Sequence, residues 1–302
     1  MIPRALLIRT GILLGLVGSG LAGCGDPPPP TAIPAPTAVP SPSPRPIGAT
    51  FPGAHARSLK APAQLVQPGT LTVGTDVGYP PMEFVDDQGR ITGIDIDIAA
   101  EIANRLGLQL SVVAYNFDEI IPALNRNQFD VVVSSISITP ERRAVVNFVP
   151  YLDTGRAVQV RQGNPQGIKT LDDLSGKTAV AEQGTADERI LQTLNTRLGA
   201  AGKPKVTVRT YPTDDAAVEQ VRTGQADAVL HEYVVAAYDT KLHPQDFAVA
   251  IPSYEPISLG IAIAKLNKDM NDSIQAAITA MQADGTLDAM QQRWGLKLPT
   301  AP

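Results

Sequence analysis

Soft metal ligands are scarce in this 302-residue chain, which has one cysteine, three histidines and one tryptophan. With so few thiolates and imidazoles, a His/Cys-built zinc, iron or copper site is not expected, and no intramolecular disulfide can form. Basic clusters are missing too. Lys and Arg number 25 against 30 Asp and Glu, for a formal net charge of −5. Phosphate backbones are gripped by clustered Lys and Arg, so nucleic acid is not an expected partner. The sequence has no Ser-His-Asp spacing and no glycine-rich phosphate loop. What it does have is a 43% hydrophobic fraction. That is enough for a real core, and the length allows two ordinary domains or one domain with dispensable ends.

Only one apolar run is long, from Gly11 to Leu21, with Arg4 and Arg9 before it. It has the length of a secretory signal core and is short for a membrane span. It ends in Leu21-Ala22-Gly23-Cys24, which resembles the lipobox of bacterial lipoproteins, where the cysteine becomes the lipidated first residue. The expectation is a signal peptide over 1–23 and a lipid anchor on Cys24. The competing reading is an ordinary signal that leaves a spare thiol. From Asp26 to Pro46 nearly every second residue is proline. Such a stretch buries no core and favours an extended conformation. At ~3.1 Å per residue it reaches roughly 65 Å. Residues 24–67 therefore read as a tether, with the folded body expected from about Pro68.

Beyond Thr70, strand and helix signals alternate. Leu71–Gly74, Gln109–Ala114 and Asp130–Val133 read as strands. Asp95–Leu106 reads as an amphipathic helix, with Ile98, Ile102 and Leu106 on one face and Gly107 as its stop. Asn116 and Glu119 have capping-box spacing. The pattern then repeats, with strands at 177–181, 206–211 and 226–230. Thr185 with Glu188 opens a helix to about Leu194, and another runs from Thr213 to Thr223. The runs around Asp130 and Asp227 both read as helix end, tight turn, Asp and apolar strand, 97 residues apart. This is one α/β unit used twice, and such units build mostly parallel sheets that bind ligands beyond the carboxyl ends of their strands. The same offset pairs Ser135 with Glu232, on equivalent edges of two lobes. A last strand at 259–264 and helices at about 269–283 and 286–294 are too little for a third domain and should pack on an earlier lobe.

At this level of detail the chain resembles the polar amino acid-binding proteins of ABC importers, the family 3 extracellular solute-binding proteins. The resemblance covers about Gly69 to Leu296. It is carried by Gly69-Thr70-Leu71-Thr72-Val73-Gly74-Thr75-Asp76, Tyr79-Pro80-Pro81, Gly93-Ile94-Asp95-Ile96-Asp97-Ile98-Ala99 and Phe117-Asp118-Glu119-Ile120-Ile121-Pro122-Ala123-Leu124. The segment Ser137-Ile138-Thr139-Pro140-Glu141-Arg142 followed by Phe148-Val149-Pro150-Tyr151 is the most specific. Asp172-Asp173-Leu174-Ser175-Gly176-Lys177, Gly184-Thr185 and Asp284-Gly285-Thr286 complete it. The resemblance implies a two-lobed α/β fold of the type II periplasmic binding-protein kind, with two hinge strands and a cleft between the lobes. Lobe one would comprise 68–154 plus 256–302, and lobe two 155–255.

Its implied function is capture of a free amino acid, by a monomer and without a cofactor, for delivery to an ABC permease outside the cytoplasmic membrane. A zwitterion in a cleft needs a partner for each charge. Arg142, set by a Thr139-Pro140 helix start, offers a planar fork to the carboxylate. Ser135 and Ser137, with Ser134 behind them, offer hydroxyl or backbone hydrogen bonds. Thr185 opens a helix whose dipole favours an anion, with Gln183, Gly184 and Ala186 nearby. Glu232 would take the ammonium, where the family usually has Asp. Tyr79 and Phe117 would sandwich the ligand's side chain, and Met82, standing where the family often has Phe, would loosen that wall. Asp76 would face the far end of a basic or amide side chain. Arg143 and His231 read as solvated or structural neighbours. The rival reading is an enzyme, because the fold resembles that of cyclohexadienyl dehydratases and a desolvated Glu232 can serve as a general acid. A ligand-presenting sensor module is the other.

Overall fold

The computed structural model describes residues 59–296. They all belong to one compact unit within Pro36–Pro302, and the other unit, Met1–Ala35, lies outside them. The expected signal peptide, Cys24 and most of the expected tether also lie outside the described residues. Among the described residues, no helix is long and apolar enough to cross a membrane.

The chain begins with β1 (Thr70–Thr75), β2 (Phe84–Val85), β3 (Ile91–Thr92), α1 (Ile94–Leu106), β4 (Gln109–Ala114), α2 (Phe117–Asn125), β5 (Val131–Val132) and α3 (Pro140–Val145). It continues through β6 (Val146–Arg161), β7 (Thr178–Glu182), α4 (Ala186–Ala200), β8 (Thr207–Tyr211), α5 (Asp214–Arg222), β9 (Ala228–Glu232) and α6 (Tyr233–Leu242). It closes with β10 (Phe247–Ile251), β11 (Pro256–Ala264), α7 (Lys268–Ala283) and α8 (Thr286–Arg293). The main sheet has the order β4-β1-β5-β11-β6-β9-β7-β8, and β10 pairs β6 off this path. β4, β1 and β5 are parallel, as are β8, β7 and β9. Each trio meets one long antiparallel strand, β11 in the first half and β6 in the second.

Strand β6 carries the chain from one lobe to the other. Its first part, Val146–Gly155, pairs with β11, and Arg156–Val160 pairs with β9. The return passes through residues 252–255, which pack tightly on this crossing. A Cβ at Gly155 would fall 2.1 Å from Ser253 Oγ.

Each lobe has its own core. In lobe one, Leu71, Val73, Ile98 and Ile102 pack with Met270, Ile274 and Ile278 of α7, so the terminal helices do return to the first lobe. In lobe two, Val158, Ala179, Leu191, Leu194, Leu198 and Leu230 pack together. Helix α4 outruns its expected end near Leu194 because Leu198 is buried in that core, and the burial outweighs weak local propensity. The body also starts earlier than Pro68. Leu59, Ala61 and Leu65 pack against the first core, and Val66 N donates to Asp130 Oδ1 at 2.8 Å.

Candidate functional site

The sheet registers equate the two lobes residue by residue. Val73 pairs Val131 in lobe one as Ala179 pairs Ala228 in lobe two. The offset of 97 between β5 and β9 carries Ser135 onto Glu232, the equivalence read from the sequence. The strand ends and loops of the two halves meet around one hollow of about 400 Å3, part of it open to solvent.

Asp76, Tyr79, Phe117, Ser134, Ser135, Ser137 and Arg142 line it from lobe one, and Thr185, Ala186 and Glu232 from lobe two. Gln183 does not line it. Its exposed side chain instead donates to Asp118 Oδ2 at 2.9 Å, tying the lobes at the rim. Met82 does not line it either. It is fully buried in the lobe-one core and leaves the wall to Tyr79 and Phe117.

Arg142 is fixed from below. Pro140 occupies the first turn of α3, and Thr139 Oγ1 accepts from Arg142 N at 3.3 Å. The guanidinium is 6% exposed. It donates to Ser137 O at 2.9 Å and Gly184 O at 3.3 Å, and its Cζ lies 5.2 Å from the Phe117 ring centre. Among the described residues no carboxylate lies within ion-pair distance of it. Burial, then the charges of Arg189 and Arg156, bring its pKa down to about 10. Arg143, next to it, is exposed.

Glu232 ends β9 and precedes α6. Its carboxyl is 5% exposed and accepts from Ser137 Oγ at 3.0 Å and from the Tyr79 hydroxyl. No cation lies within ion-pair distance among the described residues, and burial pushes its pKa up to about 7. His231 beside it is buried, with Nδ1 3.2 Å from Asp214.

Beneath the Ser134-Ser135 loop sit two buried acids. Glu83 accepts from Ser134 Oγ at 3.0 Å, and Asp95 accepts from Ser135 N at 2.7 Å. Ser135 is held at φ +45°, in the left-handed region. This support aims the loop into the hollow at a cost in backbone strain that only a fixed surround sustains. Asp95 also accepts from Tyr151 OH at 2.7 Å. Burial raises both carboxyls, Asp95 to about 6.

The expected capping bond from Asn116 is not made. Phe117 N donates to Asp76 Oδ2 at 3.1 Å instead, so an acid of the hollow caps α2. At α4, Thr185 Oγ1 accepts from Glu188 N at 3.3 Å, but Glu188 reaches Gly184 N rather than Thr185 N.

Sequence reasoning missed Glu83, Glu182, Asp187, Thr213 and Asp214, all of which line the hollow. Asp187 is bound by the buried Arg156 at 2.7 Å, so its charge is met. Glu182 is the last residue of β7, and the strand-end rule that found Ser135 and Glu232 would have found it too.

A hollow lined by a buried guanidinium, a buried carboxyl and two aromatic side chains can hold a small zwitterion. Comparison with known proteins bears on whose architecture this is. The model of the bacterial extracellular solute-binding proteins, family 3, matches residues 71–297. The L-cystine-binding protein TcyJ of Escherichia coli is 34% identical over 227 residues, 75% of this chain and 82% of that protein. Arginine-binding protein 1 of an Escherichia coli ABC transporter is 29% identical over 229 residues, 74% of this chain and 90% of that one. Among solved structures, an ancestral arginine-binding protein bound to arginine superposes with a TM-score of 0.70 at 34% identity, over 75% of this chain and 98% of that one. An ancestral amino acid-binding protein described as a precursor of cyclohexadienyl dehydratase gives 0.68 at 34%, over 75% and 95%. The architecture is the two-lobed type II periplasmic binding-protein fold, and the chain belongs to the bacterial extracellular solute-binding proteins of family 3.

Proposed function

We propose that this protein clamps one free polar L-amino acid, with a cationic or amide side chain, between its lobes and delivers it to an ABC permease outside the cytoplasmic membrane. One observation carries the reading. A buried guanidinium and a buried carboxyl, Arg142 and Glu232, share one hollow, and neither has an oppositely charged protein partner among the described residues. Leaving such groups unmatched is costly, and a zwitterion supplies both counter-charges at once. Its carboxylate would lie on Arg142, Ser135 and the start of α4 at Thr185 and Ala186. Its ammonium would lie on Glu232, Tyr79 and Ser137. Its side chain would run between Tyr79 and Phe117 toward Asp76. Relatives named for arginine and histidine, and an ancestral protein bound to arginine in one structure and glutamine in another, support the side-chain class. The lobe boundaries proposed are about 59–154 plus 256–302 and 155–255, with a lipid anchor on Cys24, a Pro-rich tether before the body and a monomeric body.

A thermal-melt screen against the twenty amino acids tests this. A ligand at a hundred times its Kd stabilises a fold by about 2.7 kcal/mol. For a body of this size that raises Tm by about 5–10 °C. Arginine, lysine, histidine or glutamine is expected to give such a rise, and no rise with any amino acid refutes the reading. A dehydratase is the second reading, favoured by the raised pKa of Glu232 and by the ancestral precursor. Product formation from prephenate or arogenate would establish it.

Closure of the lobes on the ligand makes a further demand. Gly184 has φ +78°, and a Cβ there would fall 2.8 Å from Cα and Cβ of Asp118 in the other lobe. The left-handed backbone adds about 1–2 kcal/mol for any other residue. Gly184→Ala is expected to weaken binding by roughly tenfold. Calorimetry that finds unchanged affinity would show that this contact is not needed for closure.

A further inference from the structure

Two carboxyls meet in the hollow where the ligand's side chain is expected to end. Val73 corresponds to Ala179 through their partners in β5 and β9, so an offset of 106 carries Asp76 onto Glu182. The pair is thus the end of β1 facing its own counterpart, the end of β7. Both residues line the hollow, at 9% and 7% exposure, and their side chains are within hydrogen-bonding reach of each other. Among the described residues neither forms an ion pair, and no basic group is among the main influences on either pKa. The other acids facing the pair are Glu83, Asp118 of α2, and Asp214 and Asp215 of α5. The imidazole of His231 is taken by Asp214, and the Arg142 guanidinium is directed at Ser137 O and Gly184 O. Two carboxylates in contact do not both ionise without a cation between them, so the pair holds one shared proton. Burial pushes Asp76 up to about 6 although the hydrogen bond from Glu182 lowers it, and burial with the charge of Asp76 pushes Glu182 well above the usual carboxylate range.

We propose that Asp76 and Glu182 form a socket that takes either one proton or the cationic end of the ligand's side chain. A cationic amino acid breaks the carboxyl O–H bond, the proton leaves to solvent, and both carboxylates then accept hydrogen bonds from the cation. An amide side chain leaves the proton in place, where it donates to the amide carbonyl. Glu182 is then a specificity-determining residue, and the choice between cationic and amide ligands depends on pH. This inference rests on the amino acid-binding reading above.

The test is calorimetry with arginine and with glutamine at about pH 6, in buffers of unequal ionisation enthalpy. Both ligands carry the same ammonium to Glu232, so the difference between their proton counts isolates the socket. Arginine is expected to expel up to one proton more than glutamine. Wherever the ligand-free pair keeps its shared proton, at pH 6 and on either side of it, arginine's affinity should fall up to tenfold per unit drop in pH relative to that of glutamine. In Glu182→Gln, and independently in Asp76→Asn, the excess should vanish, with ligand-free melting used to verify that each variant folds. If glutamine fails to bind, the loss of proton release between wild type and Glu182→Gln on arginine alone decides the matter. Equal counts for the two ligands in wild type, or an excess that survives both substitutions, overturn the socket while leaving the amino acid-binding reading intact. Failure of both ligands to bind overturns the socket, while the melt screen against all twenty amino acids separately decides the amino acid-binding reading.

Discussion

Arg142→Ala is expected to weaken amino acid binding at least a hundredfold while leaving the ligand-free protein as stable as wild type or more so. The two halves of this expectation have one cause. The guanidinium is almost wholly out of water, and its hydrogen-bond acceptors are two neutral carbonyls, of Ser137 and Gly184. Such a charge carries a desolvation cost that no ion pair among the described residues offsets, Asp187 and Glu141 helping only from a distance, so its removal relieves the free protein. In the complex the same group meets the ligand carboxylate. Breaking a buried pair costs about 3–5 kcal/mol, and about 1.4 kcal/mol is tenfold in affinity. Arg142→Lys keeps the charge but not the planar fork, and should recover only part of the loss. Calorimetry and ligand-free melting, run side by side, separate binding from folding. Unchanged affinity in Arg142→Ala would remove the residue from the site, and a matching fall in ligand-free Tm would make its role structural.

The site residues the sequence revealed are those whose chemistry is set locally. Arg142 follows a Thr-Pro helix start, and Ser135 and Glu232 follow apolar strands that repeat at a fixed offset. What stayed hidden depends on the partner across the cleft. Glu182 is open to the strand-end rule, but its meeting with Asp76 shows only once the two lobes are brought together around the hollow. Asn116 has the spacing of a cap, yet its side chain makes no capping bond, and Phe117 N is taken by Asp76, 41 residues before it. No strand is expected over 146–161, a stretch that contains Pro150 and Gly155. Its sixteen residues stay extended because β11 pairs one half and β9 the other. Met82 shows the opposite failure. A family position was read as a wall of the site, and the side chain points into the core.

Glu232→Gln is expected to weaken binding about a hundredfold at pH 8 and to remove most of the pH dependence seen with an amide ligand. In the wild type, burial holds this carboxyl near 7, so it is largely protonated at pH 6. The ligand's ammonium requires the ionised form. Affinity should therefore fall as pH drops below about 7, approaching tenfold per unit for one proton taken up. Stability of the ligand-free protein moves the other way. The folded pKa lies above the ordinary value of 4.5, so this carboxyl's contribution is complete below about 4.5 and is lost as pH rises through about 7. A shift of that size corresponds to about 3 kcal/mol. Glutamine at this position keeps the hydrogen-bonding shape and cannot ionise. The ligand-free variant should accordingly melt higher than wild type at pH 8 and close to it at pH 4.5, even as it binds far more weakly. A wild-type affinity that is flat from pH 5 to 8, or a variant that loses ligand-free stability at pH 8, would mean that residue 232 is not the buried, unpartnered acid on which the zwitterion clamp depends.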